Sequence, residues 1–68
     1  MAYQEPTIVK TVETANMKAK LWKCPSAPAS RRWQVAYFKP DAWEASFIEE
    51  FSYKSDAMSQ INWWSERF

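Results

Sequence analysis

The chain has 68 residues, of which 18% are aromatic, with nine Lys and Arg against eight Asp and Glu and with neither His nor Gly. A chain of this length has room for one core, so we expect one domain, residues 1–68, with residues 1–6 flexible. The lack of His removes the usual general base and metal ligand, and the lack of Gly removes phosphate-binding loops.

The cysteine and carboxylate content excludes further kinds of site. Cys24 is the single cysteine, so it cannot form an intrachain disulfide or contribute to a four-ligand zinc site without His. Glu49 and Glu50 are adjacent, and neighbours on a strand point to opposite faces, so they cannot act together on one bond. We therefore expect no enzyme activity, no metal and no cofactor.

The N-terminal residues lack the basic start and apolar run of a secretory signal. No apolar stretch approaches the roughly 20 residues of a membrane span. Together with the single cysteine, this favours a cytoplasmic setting and no membrane partner.

The first half of the chain has strand-like patterns. Residues 7–12 are β-branched in composition and predict an additional strand that turns at residues 13–16. Residues 17–24 roughly alternate, which puts Leu21 and Trp22 on opposite faces of a strand. Two prolines then interrupt the pattern, so we expect residues 25–32 to form a mobile loop.

A hairpin follows, with an apolar strand over residues 31–39, a turn at residues 39–42 and a returning strand over residues 43–51. A three-residue loop would pair Tyr37 with Ala45 and Val35 with Phe47, which gathers the apolar side chains on one face. A two-residue loop would pair Val35 with Ser46, a poorer core. We favour the three-residue loop.

The C-terminal segment has helical spacing, with Ser55 as the predicted N-cap, Asp56 near the positive end and Arg67 near the negative end. The core-facing stripe of this helix comprises Ala57, Ile61, Trp64 and Phe68, with Met58 beside them. The sequence thus predicts an α+β fold: a three- or four-stranded antiparallel meander with one C-terminal helix packed on one face.

Residues 51–57, Phe-Ser-Tyr-Lys-Ser-Asp-Ala, lead into Trp63-Trp64 after a short meander. Over residues 17–68 this order of elements resembles the small β-β-β-α proteins of phages and mobile elements. It also resembles the arm-type DNA-binding domains of tyrosine recombinases. The first resemblance implies an accessory or inhibitory protein, and the second implies a DNA-binding domain.

The candidate binding residues lie mainly on the face opposite the predicted helix, where Trp22, Phe38 and Ile48 form an apolar strip. Either the N-terminal segment covers this strip through Ile8, Val9 and Val12, or the strip is a partner site. Trp63 cannot share the core stripe with its neighbour and either lies at the core margin or anchors an interface. The predicted partner-binding residues are Trp22, Phe38, Lys18, Lys20, Arg31, Arg32 and Trp63.

Two main functions fit these residues. The first is a non-enzymatic binding module, of phage accessory or inhibitory type, that occupies a site on a larger host protein or complex. The alternative is a domain that binds single-stranded nucleic acid or arm-type DNA through bases stacked on tryptophan and phosphates neutralised by the basic residues. A subunit of a larger enzyme is a third interpretation, and a homodimer is compatible with the first two.

Overall fold

The computed structural model describes residues 6–67, in which four strands form one antiparallel sheet. The strands are β1 (Thr7–Glu13), β2 (Lys18–Lys23), β3 (Trp33–Phe38) and β4 (Phe47–Phe51), and they lie side by side in chain order. One helix, α1 (Lys54–Arg67), follows and packs against one face of the sheet. The predicted α+β meander is confirmed, and it has four strands. The additional strand predicted over residues 7–12 is present as β1.

The connection between β1 and β2 is tight although the chain has no glycine. The Thr14 N–H donates to the Met17 carbonyl at 2.8 Å. The Thr14 hydroxyl oxygen in turn accepts from the backbone N–H groups of Asn16, at 3.3 Å, and Met17, at 3.2 Å. A threonine side chain therefore stabilises the turn by bonding the local backbone.

The connection between β2 and β3 contains a short 3-10 helix, Ala29–Arg31. The Cys24 N–H donates to the Arg32 carbonyl at 2.7 Å and closes the loop across its base. The guanidinium of Arg32 donates to the Ala27 carbonyl at 3.4 Å inside it. The mobility of residues 25–32 stays a prediction.

The hairpin of β3 and β4 departs from the predicted one. Tyr37 pairs with Phe47 and Val35 with Glu49, so the three-residue loop is wrong and residues 39–46 connect the strands. Asp41 adopts a left-handed φ of 67°, and the Ala42 N–H closes a turn on the Lys39 carbonyl at 3.1 Å. The pairing differs by two residues from the predicted one, so each side chain keeps its predicted face.

The core lies between α1 and one face of the sheet. Its buried members are Ala19 and Leu21 of β2, Val35 and Tyr37 of β3, and Ala57 and Ile61 of α1. Partly buried side chains packed around this cluster are Val12, Met17, Trp33, Phe51, Met58 and Trp64. The predicted helix stripe is confirmed for its members within residues 6–67, and Phe68 lies outside the described residues.

The helix begins slightly earlier than predicted. The Ala57 N–H donates to the Tyr53 carbonyl at 3.3 Å, so Tyr53 occupies the capping position and Ser55 lies within the first turn. Asp56 in the first turn and Arg67 in the last suit the helix dipole as predicted. Within residues 6–67 no helix is long and apolar enough to cross a membrane.

Candidate functional site

The face of the sheet opposite α1, which we term the open face, brings four of the predicted binding residues together. Strand pairing aligns three rows of side chains across it. The rows are Ile8, Trp22, Gln34 and Glu50; Thr11, Lys20, Ala36 and Ile48; and Glu13, Lys18 and Phe38. Lys18, Lys20, Trp22 and Phe38 are therefore neighbours because consecutive strands pair directly.

Phe38 is only 7% exposed although it lies on the open face. The ammonium groups of Lys18 and Lys20 lie 5.9 and 5.4 Å from the centre of its ring. Lysine side chains place their methylene groups along apolar surface while the charged end stays in water. Phe38 is therefore covered by the chain itself and forms the floor of the face.

Trp22 is half-buried and is held in place by a row of hydrogen bonds across three strands. Its indole N–H donates to Gln34 Oε1 at 2.8 Å, and Gln34 Nε2 donates to Glu50 Oε2 at 3.3 Å. These bonds orient one edge of the indole and leave its apolar ring beside Ile8 of β1. The ring is thus a fixed apolar surface at one end of the open face.

Cys24 directly follows β2 and is half-buried. Burial raises the pKa of its thiol more than the Trp22 N–H lowers it, and the Glu50 carboxylate raises this pKa further. The thiol is therefore protonated at neutral pH and is a weak nucleophile.

Residues 7–13 do not cover the open face. Residues 7–13 pair edge to edge with β2, which places Ile8 beside Trp22 and turns Val12 toward the helix. Of the two alternatives for Trp22, Phe38 and Ile48, the cover by Ile8, Val9 and Val12 is therefore wrong. Backbone hydrogen bonding to β2 competes with such a cover, and Ile48 is left 45% exposed.

Trp43 is a functional candidate that the sequence analysis missed by placing it within a strand. It lies in the connection between β3 and β4 and is 86% exposed. A shallow depression joins it to the open face, lined by Lys20, Trp22, Phe38, Trp43, Glu44, Ala45 and Ile48. Residues 44–46, Glu-Ala-Ser, have low strand propensity, and this signal argued for a connection rather than a strand.

The basic residues do not form one continuous patch. Lys18 and Lys20 lie on the open face, but Lys10 and Lys23 occupy rows on the helix side. Lys23 and Lys54 flank Trp33 there, at 5.5 and 6.0 Å from its ring. The acidic residues Glu13 and Glu50 share the open face with the two lysines, so its charge is mixed.

Arg31 and Arg32 differ although they are adjacent. Arg31 is exposed in the 3-10 helix, whereas Arg32 is half-buried. The Nε atom of Arg32 is fully buried and makes no hydrogen bond within the described part of the chain. Of the two arginines predicted to bind a partner, Arg31 is therefore free to do so from the surface, whereas the guanidinium of Arg32 is packed within its own loop.

Trp63 lies away from the open face, on the exposed side of α1. The Arg67 guanidinium stacks over its ring at 4.3 Å, and Trp64 meets it edge-on at 6.1 Å. Trp64 itself packs on Tyr37 with ring centres 4.4 Å apart. The seven predicted binding residues therefore do not form one site.

Glu49 and Glu50 lie on opposite faces of β4, as expected. Tyr37 Oη donates to Glu49 Oε1 at 2.7 Å, and Gln60 Nε2 donates to the same oxygen at 3.2 Å. Glu49 is thus held on the helix side by neutral donors. Burial raises the pKa of the Tyr37 hydroxyl, and the hydrogen bond to Glu49 raises it further.

Comparison of the chain with family models, with curated proteins and with solved structures finds no match. Among residues 6–67, no group of three or more His, Cys, Asp or Glu side chains is arranged to hold a metal ion.

Proposed function

We propose that this protein is a non-enzymatic binding module whose open face docks on a larger protein. The observation that carries the proposal is the exposure of Trp43 beside the partly exposed Ile48 and the fixed ring of Trp22. Tryptophan is among the side chains that most often dominate the energy of protein interfaces. An exposed tryptophan joined to further apolar surface is therefore a candidate anchor.

The charges of the open face favour a protein partner over a nucleic acid. Nucleic-acid binding needs several cations that neutralise successive phosphates. Here Lys18 opposes Glu13 on the neighbouring strand, and Glu50 and Glu44 border the same surface. A mixed set of charges around apolar groups suits the polar rim of a protein interface.

The role we propose is that of an accessory or inhibitory protein of phage type acting on a host protein or complex in the cytoplasm. The resemblance in element order to small phage and mobile-element proteins supports this role. The protein would act by occupying a site on its partner. The sheet presents Trp43, Ile48 and Trp22 to that site, and the site is thereby blocked. Neither catalysis nor a cofactor is required.

The direct test is to capture partners from the host with the tagged protein and to map the contact by hydrogen exchange. We expect slowed exchange in β2, in β3 and in residues 39–48 when a purified partner is added. Protection confined to α1 would contradict the proposal. Binding to random single-stranded DNA and RNA, titrated with salt, tests the alternative, because phosphate contacts give a steep salt dependence.

Self-association is tested in the same preparation by light scattering across a concentration series. We expect a monomer. A dimer that protects the open face would show that a second copy covers it, and the proposal of a larger partner would then fail. A nucleic-acid complex with a steep salt dependence would overturn it in favour of the alternative.

A further inference from the structure

The two outer strands of the sheet differ in how well they are protected against pairing with another chain. In β1 the register with β2 shifts between Ile8 and Lys10, which is a bulge at Val9. The Lys10 ammonium also donates to Asn62 Oδ1 of α1 at 2.6 Å, which ties this edge to the helix. Bulges and lysines are features that block edge-to-edge pairing.

The other edge strand, β4, is regular. Its register with β3 runs without a shift from the Trp33–Phe51 pair to the Tyr37–Phe47 pair. β4 is the last strand of the sheet, so one side of its backbone has no neighbouring strand among the described residues. Phe47 is 57% exposed, and Ile48 is also exposed. This edge therefore offers a regularly paired strand with apolar side chains on both faces.

An open groove with a volume of about 550 Å³ accompanies this edge on the helix side. Phe51 of the sheet lines it together with Asp56, Ser59, Gln60 and Trp63 of α1. Side chains of a strand added to β4 that point toward the helix side would enter this groove. There they would contact Trp63, which lies outside the open face.

The negative charge near the β4 edge determines what kind of strand could pair with it. Residues 41–53 contain Asp41, Glu44, Glu49 and Glu50 and no Lys or Arg. Glu49 faces the helix side and Glu50 the open side, so negative charge flanks the edge on both faces at its centre. Two copies of β4 would bring these carboxylates together, which is unfavourable.

We propose that β4 accepts an extended segment of a partner protein as a fifth strand, with two adjacent basic residues at its centre and apolar residues around them. Neighbouring residues of a strand point to opposite faces, so one basic side chain meets Glu49 and the other meets Glu50. The flanking apolar residues contact Phe47, Ile48 and Phe51. Main-chain hydrogen bonds supply affinity, and the side chains supply specificity, as in other cases of strand addition.

This site shares Ile48 and Glu50 with the open face, but the backbone edge of β4 and the groove beside Trp63 lie outside that face, and the inference does not depend on the proposed function. The probe is a synthetic peptide of about ten residues, a normal strand length or slightly more, with Lys-Lys at its centre and Val and Thr on either side. It is titrated into the isotope-labelled protein and followed by NMR. We expect shifts at the amides of residues 47–51 and at the Trp63 indole.

The controls separate strand addition from simple charge attraction. Glu50→Lys is expected to weaken peptide binding about tenfold, which corresponds to about 1.4 kcal/mol. Glu13→Lys makes the same charge change on the other edge strand and is expected to leave affinity unchanged. A peptide with Glu-Glu at its centre, or one methylated on alternate backbone nitrogens, is expected not to bind.

Three results would overturn the proposal. They are shifts centred on β1 or on Trp22 and Trp43, equal weakening by Glu50→Lys and Glu13→Lys, and undiminished binding of the methylated peptide. Since the probe contacts neither Trp43 nor Trp22, a failure here leaves the open-face proposal standing.

Discussion

The Tyr37 hydroxyl of β3 and the Glu49 carboxylate of β4 form a 2.7 Å hydrogen bond on the helix side of the sheet. The Gln60 amide of α1 donates to the same carboxylate oxygen at 3.2 Å. One carboxylate therefore joins two strands to the helix. Among residues 6–67, Tyr37 is buried, and no charged residue is buried with it.

Removing this hydroxyl with Tyr37→Phe should lower the free energy of unfolding by about 2 kcal/mol, since hydrogen bonds to charged groups contribute about 1.5 to 3 kcal/mol. Urea denaturation at neutral pH measures the change. Tyr53→Phe is the matched control, because Tyr53 is exposed and should tolerate the loss of its hydroxyl.

The same substitution should change the response to alkaline pH. The pKa of Tyr37 is raised in the folded state, so the unfolded chain loses this proton first, near pH 10. The stability contribution is complete below about pH 10 and is lost as the pH rises toward the folded pKa. We expect the wild type to lose stability more steeply above pH 10 than Tyr37→Phe. Equal slopes would contradict the assignment.

Trp64→Ala should cost about 3 to 5 kcal/mol, because it removes a large ring that packs on Tyr37 and the core. A domain of this size has little stability to spare and should be largely unfolded. Trp63→Ala is the comparison, and it should cost much less because Trp63 is exposed. An unchanged melting temperature for Trp64→Ala would show that the helix docks differently.

Arg31, the last residue of the 3-10 helix, and Arg32, which follows it, should respond differently to charge reversal. Arg31→Glu should change stability by no more than about 0.5 kcal/mol, as is usual for exposed positions. Arg32→Glu should cost about 1 to 3 kcal/mol, because it removes a packed guanidinium and its bond to the Ala27 carbonyl. Thermal unfolding of both variants checks this, and equal effects would contradict the difference in burial.

Phe38→Ala should reduce stability by about 3 kcal/mol, although Phe38 lies on the face away from the helix. The reason is that Lys18 and Lys20 cover its ring, so its truncation opens a cavity beneath them. The unfolding free energy of the purified variant gives the answer. Unchanged stability would show that the ring is exposed in solution.

The sequence predicted the fold class and the faces of the strands because side-chain alternation survives a shift of two residues. The same property hid the true register, since Tyr37 keeps its face whether it pairs with Ala45 or with Phe47. Only the length of the connection distinguishes the two registers. That length depends on the left-handed conformation of Asp41 and on residues 43–46, which belong to the connection and not to β4.

The candidate site was predicted in part for a related reason. Alternation placed Trp22 and Phe38 on the open face, but it carries no information on cover by flexible side chains such as Lys18 and Lys20. Nor does adjacency in sequence distinguish the exposed Arg31 from the packed Arg32. Trp43 was missed because it is exposed in the long connection between β3 and β4, whereas the predicted hairpin placed it within the returning strand.

The most direct test of the open-face proposal measures affinity and stability together for Trp43→Ala, using a partner identified by capture and then purified. The prediction is a loss of binding of about 2 kcal/mol or more with an unchanged free energy of unfolding, because the side chain is exposed in the free protein. Tyr53→Ala, which truncates another exposed aromatic residue at the opposite end of β4, should bind normally. Full affinity of Trp43→Ala for the partner would contradict the account.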